Sequence, residues 1–446
     1  MAAIKTAESA RRLTAIELAG FKSAIEPVRV NFRDITVLAG ANSAGKSTIM
    51  QPLLLIKQTI EKPFDPGALA IDGPLARFTN ADQFFSHGAP SDTTPKFSIT
   101  FEHGPAKVKF TYERPSAAGI ELSGMSFSRD SKEYSWANGL VLNKNDENLL
   151  EELASSGYPK QYLANILPRG YELRVARDRA VLIAGFARSD AGPSARVQPL
   201  VSPASTVVNE VRNLIYLPGL RGNPERHYVI SAGGPQYPGS FNDYVASIIH
   251  RWGAKTDGRL RRLENNLKHL GLTWRVTTKA VDDTRVEVRV GRLPAAARGG
   301  ARDTVNIADV GFGVSQTLPV LVALLAANRD QIVFVEQPEL HLHPRAQVAL
   351  ADIIIQSAEQ GVRLVIETHS SLLILALQAA IAAGRIAPDR VSLNWFTRDA
   401  AGQTHVTEAQ VHEDGSYGDW PEDFGSIELD LQDRYMTLVE RRHARD

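Results

Sequence analysis

Apolar residues alternate with polar ones over Leu13–Gly20 and Val28–Phe32, which predicts two strands near the start of the chain. A third, largely apolar strand, Ile35–Gly40, runs straight into a glycine-rich turn, and Thr48–Thr59 then carries apolar residues at helical spacing. Phe97–Glu102, Lys107–Glu113 and Gly119–Phe127 read as three strands separated by turn residues, which predicts an antiparallel sheet. Between about Asn143 and Asp303 the pattern loosens. Asn148–Ser156 and Asp257–Leu270 read as helices, Ser189–Pro203 and Gly219–Pro238 as loops, and Leu293–Arg302 as a small-residue loop or boundary. From Val310 a helical run reaches Asn328, followed by strand Gln331–Val335, helix Arg345–Gln360, strand Val362–Ile366, helix Ser371–Ala383 and strand Val391–Phe396. Alternating helix and strand predicts a parallel sheet flanked by helices, an α/β fold. No internal repeat and no sustained heptads stand out.

At 446 residues the chain is long enough for two to four units. Its 43% hydrophobic and 22% charged residues are ordinary for a soluble globular protein. Fifty basic residues balance fifty acidic ones, so net charge leaves no footprint for nucleic acid or membrane. The absence of cysteine excludes disulfides, thiolate catalysis and Cys-ligated zinc or iron–sulfur sites. The N-terminus lacks a signal-peptide core. The longest apolar stretch, Leu372–Ala383, is interrupted by Gln378 and too short for a membrane span. The expectation is a cytoplasmic protein with no membrane partner.

The turn after the third strand, Gly40-Ala41-Asn42-Ser43-Ala44-Gly45-Lys46-Ser47, fits G-x-x-x-x-G-K-[ST] with a strand before and a helix after. Its glycines let backbone N–H groups surround a phosphate at a helix N-terminus. Lys46 would reach the β- and γ-phosphates, and the Ser47 hydroxyl, ahead of Thr48, would take a magnesium position. Such a site needs a carboxylate at the end of a neighbouring strand, and Ile332-Val333-Phe334-Val335-Glu336 supplies one in Glu336. ATP and Mg2+ are the expected cofactors.

The segment Phe334-Val335-Glu336-Gln337-Pro338-Glu339-Leu340-His341-Leu342-His343-Pro344 resembles the Walker B and D-loop of ABC-class ATPases of the SMC and OLD type. Val365-Ile366-Glu367-Thr368-His369-Ser370 is similar to the strand and switch-histidine loop, and Asp309-Val310-Gly311-Phe312-Gly313-Val314-Ser315-Gln316 sits where the signature motif belongs. Ile215-Tyr216-Leu217-Pro218-Gly219-Leu220-Arg221 with Pro224, Arg226 and Trp420-Pro421 resembles a bacterial subgroup of ATPases with a C-terminal domain of unknown function. Members of that subgroup and its relatives act as ATPase subunits of antiphage defence systems such as PARIS and Septu. The resemblance implies an ABC-type head with an antiparallel subdomain. Residues 1–142 would form its N-terminal half, 143–302 an inserted lid, 303–400 its C-terminal half and 401–446 a tail for docking or capping. It also implies that two heads stack head to tail around two ATP molecules. Gly311, Gly313 and Ser315 of one protomer would then meet the γ-phosphate held by the other. In this sequence the usual Ser-Gly-Gly core of the signature is replaced. Gln83, in Asn80-Ala81-Asp82-Gln83-Phe84, is the candidate Q-loop metal contact, with a surface turn as the alternative.

Relatives place the water-activating glutamate directly after the metal-binding acid, where this chain has Gln337. An amide accepts no proton at neutral pH. Three readings follow: Gln337 only orients water, Glu339 or His343 serves as base instead, or hydrolysis is slow and the ATP-bound dimer is the working state. The last is favoured. The switch histidine His369 is the further catalytic residue the resemblance implies. Glu339, His341, His343 and His369 can also be drawn as a zinc site, but the resemblance accounts for His343 and His369 without one. Arg221, Arg226, Arg251, Arg259, Arg261 and Arg262 form either a nucleic-acid or partner surface or merely solvated faces.

OLD-type nucleases carry a metal-dependent nuclease domain after the ATPase. Here only about 75 residues follow His369. The acids Asp414, Asp419, Glu422, Asp423, Asp430 and Asp433 lie in a loop-rich stretch without a strand–Asp-x-Asp pattern. The expected function is therefore an ATPase sensor or scaffold that controls a separate nuclease or toxin effector. The alternative is a DNA-repair or chromosome-maintenance ATPase acting directly on DNA. An ABC transporter subunit fits poorly, given Glu336-Gln337 and the long central segment.

Overall fold

The computed structural model describes residues 12–86, 94–116, 119–129, 132–143, 167, 169–190, 192, 196–231, 234, 236–293, 303–418 and 426–443. The chain opens with an antiparallel pair, β1 (Ala15–Ala19) and β2 (Val28–Asn31), and then leaves it with β3 (Ile35–Gly40) for the centre of the molecule. It returns with β4 (Lys96–His103), β5 (Ala106–Ser116), β6 (Gly119–Arg129) and β7 (Lys132–Trp136), completing an antiparallel sheet of order β2-β1-β4-β5-β6-β7. A second antiparallel sheet, β11-β10-β9-β8, joins β8 (Val141–Leu142), β9 (Tyr171–Asp178), β10 (Val181–Arg188) and β11 (Gln198–Val201). After β12 (Ile215–Leu217), a small sheet forms from β13 (Tyr228–Val229), β14 (Val276–Ala280), β15 (Arg285–Gly291) and β16 (Thr304–Asn306). The last strands are β17 (Ile332–Glu336), β18 (Arg363–Glu367), β19 (Val391–Arg398) and β20 (Thr404–Ala409). They complete the central sheet, β12-β17-β18-β3-β19-β20, parallel except for β20 at its edge.

The central sheet divides two cores because its side chains alternate between faces. Leu38, Ile332 and Phe334 point into one core, with helix Gln51–Ile60 and the aromatic residues of the N-terminal sheet. Ile35, Val37, Ala39, Val333 and Val335 point into the other, covered by helices Phe312–Ala326, Pro344–Glu359 and Ser371–Ala382. Strands buried on both sides read as continuous apolar runs, and β3 and β18 are buried along their whole length. The expected α/β architecture with an antiparallel subdomain is therefore what the chain adopts.

Segment 143–302 does not stand apart as an insertion. Its β12 is the edge strand of the central sheet beside β17. Its helices Val245–Ala254 and Gly258–His269 share the second core with helix Phe312–Ala326. The boundary at 303 likewise cuts through the pairing of β15 with β16. At the C-terminal end, β20 extends the central sheet past residue 401, and a helix, Ser426–His443, occupies what reads in sequence as a loop-rich tail. The helix expected at Asn148–Ser156, most of Leu293–Arg302 and Trp420-Pro421 lie outside the described residues.

Candidate nucleotide-binding site

Parallel strands deliver their C-terminal ends to one edge, where α/β folds bind ligands. Register pairs Glu336 with Glu367 and Glu367 with Leu38, so the ends of β17, β18 and β3 lie side by side. The glycine loop leaves this edge and turns into a short 3-10 segment, Ser47–Ile49, before helix Gln51–Ile60, rather than a continuous helix from Thr48. Gly40 and Gly45 have φ of +142° and +99°. A Cβ on Gly40 would lie 2.3 Å from the Phe396 carbonyl, and one on Gly45 2.3 Å from Thr404 Oγ1. These two positions therefore require glycine on both backbone and steric grounds. Thr404 Oγ1 donates to the Ala44 carbonyl at 2.9 Å, so the edge strand β20 braces the loop. Ala41, Asn42 and Ser43 are exposed at its tip, and Thr48 is buried beneath.

Lys46 is buried, and its ammonium donates to the Gly40 and Ala41 carbonyls at 3.1 and 2.7 Å. Burial lowers its pKa, with Glu367 opposing. Two neutral carbonyls are weak partners for a buried cation, and a phosphate placed in this cradle is the stronger one. Ser47 Oγ donates to both oxygens of Glu367, at 3.0 and 2.8 Å. Burial, with the charges of Glu336 and Glu339, pushes the Glu367 carboxyl up to about 7, against the pull of Ser47 and Lys46. Among the described residues no group of three or more His, Asp or Glu side chains could hold a metal alone. Magnesium does not need such a cage, being held by one or two carboxylates with phosphates and water. A hydroxyl already on a crowded carboxylate, next to a phosphate cradle, fits that ion.

Glu367 was not among the site residues expected from sequence. The signal that could have found it is close to the one that found Glu336: an acid closing a run of apolar residues, here Leu364-Val365-Ile366. Glu336 itself accepts from Tyr216 Oη at 2.9 Å and from the Gly219 N–H at 3.0 Å. Burial and the Glu336 charge raise the Tyr216 pKa, keeping it a donor. The segment Ile215–Arg221 thus holds the strand-end acid in place. Arg221 corrects a sequence expectation. It is 8% exposed, and its guanidinium donates to the Glu336, Gln337 and Gln316 carbonyls at 2.6, 3.2 and 3.2 Å, so it is no surface for nucleic acid. Burial lowers its pKa to about 10, with Glu339 and Glu336 raising it. Arg226 and Arg259 pair with Asp309 and Asp257, while Arg262 donates to Gln360.

Gln337 turns the chain with φ +43°, its N–H bonded to the Glu367 carbonyl at 2.7 Å. Glu339 is buried, and its Oε1 accepts from Thr368 Oγ1 at 2.7 Å and the His369 N–H at 3.0 Å. Its Oε2 is buried with no partner. His369 is half-buried beside Lys46; burial lowers its pKa, and a bond to the Gly40 backbone opposes this. His343 is exposed and caps helix Pro344–Glu359 by accepting from the Arg345 N–H, while the His341 ring lies over Phe312. These groups do not converge as zinc ligands.

In the signature region, Gly311 caps helix Phe312–Ala326, and Gly311 and Phe312 are exposed while Gly313 is half-buried. Ser315 departs from expectation: it is buried, with its hydroxyl donating to the Phe312 carbonyl at 3.2 Å rather than facing outward. Gln83 sits in the turn Ala81–Gln83, with its amide bonded at both ends to Thr79, and touches none of the groups above. A cavity of about 530 Å3 lies between Pro218–Glu225 and helix Phe312–Ala326, and neither Lys46 nor Ser47 lines it.

Residues 234–376 match a family model described as "AAA domain, putative AbiEii toxin, Type IV TA system". That stretch, less than half of the chain, holds the signature region, Glu336 and His369 but not the phosphate loop. Several solved SMC heads are similar to the chain. One, the SmcHead bound to the C-winged helix domain of ScpA, is 12% identical with a TM-score of 0.47 over 89% of this chain and 98% of that one. The SMC head domain from Thermotoga maritima is 12% identical, TM-score 0.37, over 90% and 100%. The Smc head with an extended coiled coil bound to the C-terminal domain of ScpA, from Pyrococcus furiosus, is 12% identical, TM-score 0.43, over 97% and 99%. No curated protein matches the chain. Among the described residues no helix is long and apolar enough to cross a membrane.

Proposed function

We propose that the chain is an ABC-type ATPase that binds ATP with magnesium and hydrolyses it slowly, so that it works as a switch rather than a motor. The observation that carries this reading is the row formed by Lys46, Ser47, Glu367 and Glu336 along one sheet edge, with an amide, Gln337, next to the strand-end acid. Lys46 and the loop N–H groups would bind the phosphates, and Ser47 with Glu336 or Glu367 would hold the metal. The metal would neutralise charge on the phosphates. Glu339 accepts the N–H of the switch histidine through Oε1, and its buried Oε2, which has no partner among the described residues, would take the proton from water. Its burial limits access, in keeping with slow turnover.

Two heads would pair head to tail. The exposed N-terminus of helix Phe312–Ala326, with its free N–H groups at Gly311, Phe312 and Gly313, would contact the partner's nucleotide through backbone rather than through Ser315. In this state the pair would hold, and after hydrolysis release, a separate nuclease or toxin in an antiphage complex. Titration calorimetry with ATP and Mg2+, steady-state hydrolysis, and copurification of the native complex with and without Lys46→Ala test the reading together. Expected are Lys46-dependent binding, turnover far below the roughly 10 per second of a median enzyme, and loss of the copurifying effector with the variant. Turnover of many per second overturns the switch reading. ATP-dependent DNA binding with a steep salt slope, and no copurifying protein, would favour direct action on DNA.

A further inference from the structure

The helix Ser426–His443 stands apart from the other described helices and strands. No other helix or strand among the described residues packs along it. Yet Leu431, Tyr435 and Leu438 are 59%, 65% and 55% exposed, and their i, i+4, i+7 spacing puts them on one face. Most helical stability in proteins comes from packing such a face rather than from intrinsic propensity. A stripe of this kind on a lone helix is therefore half of an interface.

The sequence of the helix says what the other half is. Its first eight residues carry Glu428, Asp430 and Asp433 and no base, whereas its last ten carry Arg434, Arg441 and Arg442 against one acid, Glu440. Laid antiparallel on a copy of itself with the stripes in contact, the Glu428 end of each helix meets the Arg442 end of the other, since both positions lie seven residues from Tyr435 on the stripe's face, while Asp433 lies on the far side. The stripe meets itself with Tyr435 near the crossing point. A parallel pair would instead set acid on acid and base on base. We propose that this helix is a self-association element, which pairs antiparallel with the same helix of a second copy around a two-fold axis. The contact uses no nucleotide, so it is independent of the ATP-driven pairing above and would keep two heads tethered between cycles, raising their effective concentration.

The chain has no cysteine, which makes single-cysteine crosslinking unambiguous. In the purified full-length chain without nucleotide, Tyr435→Cys should oxidise to a disulfide-linked dimer roughly tenfold or more faster than Asp433→Cys, which lies on the opposite side of the helix. Sedimentation of a Leu431→Glu, Leu438→Glu double variant should shift mass towards monomer. Equal crosslinking at the two positions, or an unchanged mass in the double variant, overturns the proposal. So does a Tyr435→Cys chain that crosslinks only to a different protein in a lysate. Adding Lys46→Ala separates the two readings: the crosslink should persist when ATP binding is lost.

Discussion

Replacing Glu339 by glutamine removes a proton acceptor while leaving its place in the fold intact. Its Oε1 accepts from Thr368 Oγ1 at 2.7 Å and from the His369 N–H at 3.0 Å, and an amide oxygen can accept both bonds. Its Oε2 is buried and unpaired, so an amide nitrogen exchanges one unpaired group for another. Glu339 also helps push up the neighbouring Glu367 carboxyl and helps keep buried Arg221 charged, so loss of its charge relieves one repulsion and removes one attraction, and the two oppose each other. Stability should therefore change by less than about 1 kcal/mol. Catalysis should change far more. A positioned general base contributes roughly 100- to 10,000-fold, or about 3–5 kcal/mol of barrier. Single-turnover hydrolysis and equilibrium ATP binding on the same preparation separate the two effects. The expected result is an affinity within about threefold of the parent chain and a hydrolysis constant lower by about 100-fold or more. Hydrolysis within threefold of the parent would refute the assignment and leave water orientation by Gln337 as the working reading.

Three further outcomes follow from the geometry. Gly45→Ala places a methyl against Thr404 Oγ1 at a φ of +99°, at about 1–3 kcal/mol of strain; ATP affinity should fall about tenfold or more by calorimetry, and unchanged affinity would count against this loop geometry. Arg221→Met leaves the Glu336, Gln337 and Gln316 carbonyls without their donor and should lower stability by about 2–4 kcal/mol. The urea midpoint should drop with the slope unchanged, and a midpoint like that of the parent would show that the guanidinium does not hold the turn. Glu367, raised from 4.5 to about 7, binds more protons folded than unfolded between those values. In metal-free buffer stability should therefore fall as pH rises through that window, by up to about 3 kcal/mol in all. Glu367→Gln should flatten that dependence, and a parent profile already flat there would contradict the burial of this carboxyl.

What the sequence made legible is what local chemistry enforces. The phosphate loop is readable because Gly40 and Gly45 occupy backbone angles and close approaches that only glycine tolerates, within eight consecutive residues. Glu336 is readable because a strand buried on both faces announces itself and its closing acid. The roles of Glu367 and Arg221 are set instead by how distant segments meet. Glu367 reaches Ser47, 320 residues away, only because β18 threads between β17 and β3. Nothing near residue 367 encodes that order. Arg221 reads as a surface charge in a Pro- and Gly-bearing loop until three-residue β12 docks on β17 and carries it under the Glu336–Gln337 turn. A strand that short gives no periodicity to detect, so the sequence of segment 143–302 reads as separable although its β12 supplies the sheet edge. Ser315 fails at a finer level, since a helix-opening serine can bond outward or back to its own helix. Its burial against helix and loop decides for the latter. At Arg221, Glu367 and Ser315, burial gives a polar residue a role that its local sequence does not show. The same rule makes the orphaned Glu339 Oε2 informative: a buried acceptor that nothing satisfies, one residue from a proline turn and bonded to the switch-histidine loop, calls for a function rather than a packing role.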